Sequence, residues 1–266
     1  MKLIAFLTSW MLIFNVFFVE TVHGALITSL VSYWKLDEAS GNRADAQGSN
    51  TLTDTNTVLS ATGIINLGGD FESATSEYLT IADNASLSIT GDLSFSTWVK
   101  FESLPASGGN MTFTGKWQET NNNSWIFGLY NNAGTLVWRQ NMQNSADVSS
   151  AKNLNTSTLS TATWYHIVFV YTASAGTVQV YLNGVSEGTS TGHVTNIKDS
   201  TASFELGTNI PGLGGSYLDG SMDEFGLWSK ALTSTEVTEL YNAGAGLAHP
   251  FTSASTSVPQ NITLFE

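Results

Sequence analysis

Two sets of side chains in this 266-residue chain are of types that do chemistry. The first is acidic. Hydrolysing a glycosidic bond with retention needs two carboxyl groups about 5–5.5 Å apart, which on a strand means acids at i and i+2. Asp70 and Glu72 are the one such pair, and they stand beside Gly68 and Gly69 at a turn. Asp37-Glu38 and Asp223-Glu224 are adjacent, so a regular strand would turn their side chains to opposite faces. Glu236 and Glu239 fall on a surface helix. His166 sits in an apolar run with no acidic neighbour in sequence to complete a triad, and His193 and His249 stand in polar or terminal segments. There is no HExxH, P-loop or paired-glycine nucleotide motif. The absence of cysteine excludes thiol catalysis and Cys-based zinc sites. These residues predict no enzymatic activity.

The second set combines rings with amides. Trp117, Gln118, Asn121–Asn123, Trp125, Tyr130, Asn132, Trp138, Arg139 and Asn141 fall in one block of consecutive strands and loops. Sugar faces stack on exposed rings while their hydroxyls pair with amide and guanidinium groups. Trp117, Trp125, Tyr130, Trp138 and Arg139 are therefore candidate carbohydrate-binding residues, and Trp98 and Tyr181 could join them. Tryptophan is heavily buried on average, so part of the block can instead be core.

Both sets need strands to position them. Trp164–Tyr171 is a run of aromatic and β-branched residues, apolar on both faces and too short for a free-standing helix, which reads as a central strand. Val178, Val180 and Leu182 alternate with Gln179, Tyr181 and Asn183, and Asn183-Gly184 suits a tight hairpin turn before Val185–Thr189 returns. Leu93–Phe101 puts Leu93, Phe95, Val99 and Phe101 on one face and Trp98 on the other. Leu30–Leu36, Ile64–Leu67, Glu77–Ala82, Met111–Trp117, Ser124–Tyr130, Thr135–Gln140, Ser203–Gly207 and Met222–Trp228 read as further strands. Asn141–Thr161 shows no clear periodicity and reads as a long loop or a weak edge. One helix stands out, with Thr233 and Glu236 as a capping box, Val237, Leu240 and Tyr241 as an apolar face, and Gly244 ending it. It should lie on the outside of a sandwich.

Few charged residues and many Gly, Ser, Thr and Asn favour β structure with turn-rich connections. The formal net charge of −13 opposes binding to nucleic acid or anionic membrane surfaces. Lys2 and the apolar run Leu3–Val19 read as a signal peptide over residues 1–24, with Val22 and Gly24 placed for cleavage ahead of Ala25. The run is near the lower limit for spanning a bilayer and is interrupted by Asn15, so no membrane span is expected after cleavage and the mature chain is expected to be secreted. Residues 25–248 then form one domain, and 249–266 form a Ser/Thr-rich tail with no pattern that requires packing.

Tyr33-Trp34-Lys35-Leu36-Asp37-Glu38, Phe95–Lys100, Trp164–Val168 leading to Val180–Gly184, and Leu218–Phe225 with the helix Thr233–Tyr241 resemble, in order, the laminin G-like, concanavalin A-like jelly roll. The resemblance covers Leu30 to about Gly246. It implies an all-β fold, a two-sheet antiparallel jelly-roll β-sandwich with one short C-terminal surface helix. It implies no single activity, since lectins, adhesion modules and glycosidases share the architecture. The glucanases of this fold carry Glu-x-Asp-x-x-Glu on an inner strand, and no such string occurs here. The resemblance also implies a structural calcium, with Asp223 giving a carboxylate and the Asp37 region and the Gly68–Asp70 turn giving mainly carbonyls. Asp37, Asp70 and Asp223 are thus the candidate metal residues. The expected function is a secreted, non-catalytic module binding carbohydrate or a glycosylated surface through the concave face or adjacent loops, its partner a glycan or glycosylated protein, with a structural or adhesive protein-interaction domain as the alternative and a glycosidase behind both.

Overall fold

The computed structural model describes residues 21–118, 122–209 and 216–253. Most of the leader, Asn121, the Gly-rich Pro211–Gly215 loop and the tail from residue 254 lie outside them. In chain order the elements are β1 (Thr21–Val22), α1 (Gly24–Ile27), β2 (Leu30–Trp34), β3 (Thr53–Thr55), β4 (Leu59–Thr62), β5 (Leu67–Phe71), β6 (Tyr78–Ile81), β7 (Leu93–Phe101) and β8 (Asn110–Gln118). They continue with β9 (Asn122–Asn132), β10 (Thr135–Met142), β11 (Lys152–Asn155), β12 (Trp164–Thr172), β13 (Thr177–Leu182), β14 (Val185–Thr191), β15 (Phe204–Leu206), β16 (Gly220–Trp228), α2 (Ser234–Tyr241) and β17 (Thr252–Ser253).

Two antiparallel sheets make a jelly-roll β-sandwich. One has the order β11-β10-β9-β8-β15-β6-β3; the other runs β14-β13-β12-β7-β16-β5-β4, with β2 added against β16. Alternation sends one side chain in two inward from each sheet. Leu93, Phe95, Val99 and Phe101 of β7 meet Phe127 and Leu129 of β9 in one continuous core. The Asn183-Gly184 hairpin forms as its residues dictate, with φ of +51° and +76°.

Helix α2 lies on the outer face of the second sheet. Its Val237 and Leu240 pack with Val168, Val170 and Tyr181 in a separate cluster that also takes in Leu26, Trp228 and Phe251. Phe251 is buried, His23 N–H donates to its carbonyl at 3.1 Å, and β17 pairs with β1. Phe251, in the expected tail, therefore packs with the domain, and Leu26 of the short helix α1 adds apolar cover to the same sheet. Within the stretch without periodicity, β11 forms an edge strand on β10. Its main-chain pairing needs no apolar pattern.

The capping box closes as expected. Thr233 Oγ1 accepts from Glu236 N–H at 3.2 Å, and the Glu236 carboxylate accepts from Thr233 N–H at 2.8 Å. Removing such a cap costs about 1 kcal/mol. Thr233→Ala should lower the melting temperature by about 2–4 °C in a thermal melt, with the sheet signal unchanged.

Candidate functional site

The ring-and-amide block folds as three neighbouring strands, β8, β9 and β10, with β11 at the sheet edge. Strand alternation decides which of its members face out. Trp125, Phe127 and Leu129 of β9 point inward with Trp138 of β10, and the two tryptophans are 1% and 0% exposed. The expectation that Trp125 and Trp138 stack on a ligand is corrected: their rings pack on Phe127, Phe204, Phe113 and Phe169. Period-two spacing with Phe127 and Leu129 already carried that signal in the sequence. Trp98 and Tyr181 do face away from the main core, but α2 covers them; Trp98 stacks on Tyr241 at 5.7 Å. Trp117 is half-buried, just past a register slip in β8.

Tyr130 and Arg139 remain on the outer face. Two cross-strand rows run there, Asn110–Tyr130–Val137–Asn155 and Thr112–Gly128–Arg139–Asn153. Arg139 starts on β10, crosses β9 and donates to Asn110 Oδ1 on β8, with its guanidinium carbon 5.5 Å from the Tyr130 ring centroid. The Tyr130 ring thus supports the arginine. Gly128 is required beneath it, because a Cβ there would stand 2.1 Å from the Met111 carbonyl oxygen.

The three candidate metal residues do not converge. Asp70 accepts from Ser221 Oγ at 3.0 Å and groups instead with Glu72 and Glu102, one carboxylate oxygen of each lying within 4.8 Å of the others. Glu102 carried no signal in the sequence, since the pairing of remote strands brings it there. Burial, then Glu102 and Asp70, push the Glu72 carboxyl up.

Asp37 and Asp223 both clasp the turn at residues 63–67. Asp223 Oδ2 accepts from Ile64 and Ile65 N–H at 2.8 and 3.0 Å, and Asp37 Oδ1 accepts from Leu67 N–H at 3.0 Å. This is where β16 changes neighbours, pairing with β5 through Gly220–Met222 and with β2 from Phe225 onward. Between them the register against β7 slips and Glu224 takes φ +51°. Met222 and Phe225 both point into the core, so Asp223 and Glu224 share the outer side. The expectation of opposite faces fails because of this bulge.

Glu224 Oε2 accepts from Tyr33 Oη, while Asp223 Oδ1 and Glu224 Oε1 are buried without a hydrogen-bond partner. Burial pushes the Asp223 carboxyl up to about 7, with Asp37 adding to it and the amides of Ile65 and Ile64 opposing. Burial likewise pushes Glu224 up to about 8, against its bond from Tyr33 and with help from Asp223 and Asp37. His166, 2.8 Å from Ser96 Oγ, is lowered by burial to about 3, so its ring packs as a neutral group.

Two packed antiparallel sheets, one with its outer face covered by a helix and the other with Tyr130 and Arg139 on its outer face, make a concanavalin A-like jelly roll. A model of the concanavalin A-like lectin/glucanases superfamily matches residues 73–238, and the chain belongs to that superfamily. No curated protein sequence matches it. Among solved structures, the binding domain of Paraclostridial Mosquitocidal Protein 1 is similar at 18% identity and TM-score 0.64, over 82% of this chain and 53% of that one. Domain 4 of AbnA, a GH43 extracellular arabinanase from Geobacillus stearothermophilus, in complex with arabinotriose, matches at 23% identity and TM-score 0.60, over 79% of this chain and 97% of that one. The botulinum neurotoxin serotype D ligand-binding domain in complex with N-acetylneuraminic acid matches at 15% identity and TM-score 0.58, over 82% and 52%. The chain spans about half the length of these toxin domains, and at such identities the likeness is one of fold.

The burial of Trp138 has a direct consequence. Trp138→Ala should cost about 3–5 kcal/mol in denaturant unfolding; a side chain placed for ligand contact at the surface would cost within about 0.5 kcal/mol.

Proposed function

We propose that this chain is an exported, non-catalytic recognition module that binds carbohydrate through the outer face of β8–β11. The observation that carries the reading is the arginine fixed across β9 by Tyr130 and Asn110, beside the exposed Asn153 and Asn155 on the same two rows. Amides, hydroxyls and a guanidinium supply the donors and acceptors that sugar hydroxyls need, and sheet strands hold them in place. Tyr130 acts by positioning Arg139. Among proteins of like fold, the arabinanase domain is bound to arabinotriose and the serotype D domain to N-acetylneuraminic acid. A botulinum neurotoxin binding domain of similar fold is instead in complex with rat synaptotagmin II, which supports the protein-interaction alternative.

Calcium belongs to the same proposal. The pair Asp223 and Glu224, with Asp37 nearby, fits a hard cation because two buried carboxylate oxygens there lack any donor. Bound calcium would supply positive charge to this carboxylate set and tie β16 to the turn at residues 63–67. Asp70, committed to Ser221 and grouped with Glu72 and Glu102, lies outside this set.

Two experiments test the reading. A glycan array with and without calcium should show carbohydrate binding, while a polysaccharide panel should release no reducing sugar. An empty array would favour the protein-interaction alternative. Sugar release abolished by Glu72→Gln or Glu102→Gln would make the Asp70 group hydrolytic and overturn the non-catalytic reading.

A further experiment follows pH. Unfolded carboxyls titrate near about 4, whereas Asp223 and Glu224 do so at about 7 and about 8 in the fold. Between those limits the folded state holds more protons than the unfolded one, so stability falls as pH rises. In chelator the melting temperature should drop from about pH 5 to about pH 8, and Asp223→Asn should remove much of that slope. Added calcium should raise the melt most at the alkaline end; identical melts in chelator and calcium there would eliminate the ion.

A further inference from the structure

The charge distribution of the outer face narrows the ligand, given the carbohydrate reading above. The whole chain has a formal charge of −13, yet strands β8, β9, β10 and β11 contain no Asp or Glu. Their charged residues are Lys116, Arg139 and Lys152. Lys116 is buried and paired with Asp83. Lys152 lies opposite Gln140, whose side chain points inward to Ser190. Arg139 is thus the one charged group that these strands turn outward.

Arg139 takes part in none of the ion pairs among the described residues. One hydrogen bond, to Asn110, and the ring of Tyr130 hold its guanidinium. The other N–H donors have no acceptor among the described side chains. A planar cation held in place, with donors to spare and no carboxylate on its own or adjacent strands, matches a carboxylate through two parallel hydrogen bonds. We infer that the saccharide bound here is acidic, a uronic-acid or sialic-acid sugar whose carboxylate pairs with Arg139. Its hydroxyls fall to the exposed amides Asn153 and Asn155 in the neighbouring row positions. Neutral surroundings keep the pairing selective, because the acids that would repel such a ligand or compete for the arginine are placed elsewhere.

The test is titration calorimetry of the full chain with trigalacturonate, its methyl ester, sialyllactose and lactose. At least one acidic sugar should bind about tenfold or more tightly than its neutral counterpart, the scale of one charge-assisted pair. Arg139→Gln should erase that difference, and Arg139→Lys, which keeps the charge without the planar fork, should retain part of it. Equal binding of acid and ester, or a difference that survives Arg139→Gln in a folded variant, overturns the inference and leaves carbohydrate recognition standing. No binding by any of the four, together with an empty glycan array, removes both. Should Arg139→Gln fail to fold, the comparison of acid with ester on the unaltered chain decides the matter.

Discussion

A chain without cysteine has no disulfide to cross-link it, and the two sheets are joined instead by interleaved rings around Phe95. Phe95 of β7 stacks on Phe225 of β16 at 5.4 Å and on Phe169 of β12 at 5.1 Å. Phe127 reaches across from β9 to within 5.4 Å of Phe95 and 5.0 Å of Phe169. Pairs of this kind add about 0.5–1.5 kcal/mol each beyond the area they bury. Because the strands at the centre commit one face to this cluster, any binding surface on the sheets must lie on the two outer faces. One of these is covered by α2 with Leu26 and Phe251, and the other presents Tyr130 and Arg139.

Regular alternation made most of this legible. Leu93, Phe95, Val99 and Phe101 sit in the core as their spacing required, and the Thr233–Glu236 box starts the helix where the residues say it should. The tryptophans show where residue type and pattern compete. Trp125 and Trp138 were candidates because they are rings among amides, but the side of the strand outranks the neighbours in sequence. Tyr130 and Arg139, on the other parity of the same strands, lie on the outer face. Features set by tertiary pairing left no local trace: Glu102 meets Asp70 and Glu72 through strand packing, and Asp223 and Glu224 share a side through a bulge whose backbone at Glu224 turns to positive φ. Positive φ at a glutamate is not readable from its type.

The bulge in β16 resolves a topological problem. A strand that pairs with β5 along one half and β2 along the other leaves its edge uncovered where the two meet, and buried main-chain groups must be satisfied. Asp223 and Asp37 fill the gap by accepting from the amides of the turn at residues 63–67. The two carboxylates thus tether that turn to β16 and to the segment after β2. The arrangement concentrates negative charge under cover, which explains why both carboxyls of β16 hold their protons well above the ordinary range.

Charge without a partner therefore occurs on both sheets, with different physical meaning. Asp223 and Glu224 are cut off from water, so their ionised forms are costly until a proton or a cation offsets them; their role is to close the fold. Arg139 is half-buried at an open face, where water hydrates what Asn110 and Tyr130 leave free, so holding it in readiness costs the fold little. Fixing its plane before a ligand arrives also reduces the side-chain entropy lost on binding. A buried carboxyl meets the cost of burial by keeping its proton, whereas a positioned and hydrated cation on a neutral, acid-free half-sheet is suited to a counter-ion that comes and goes.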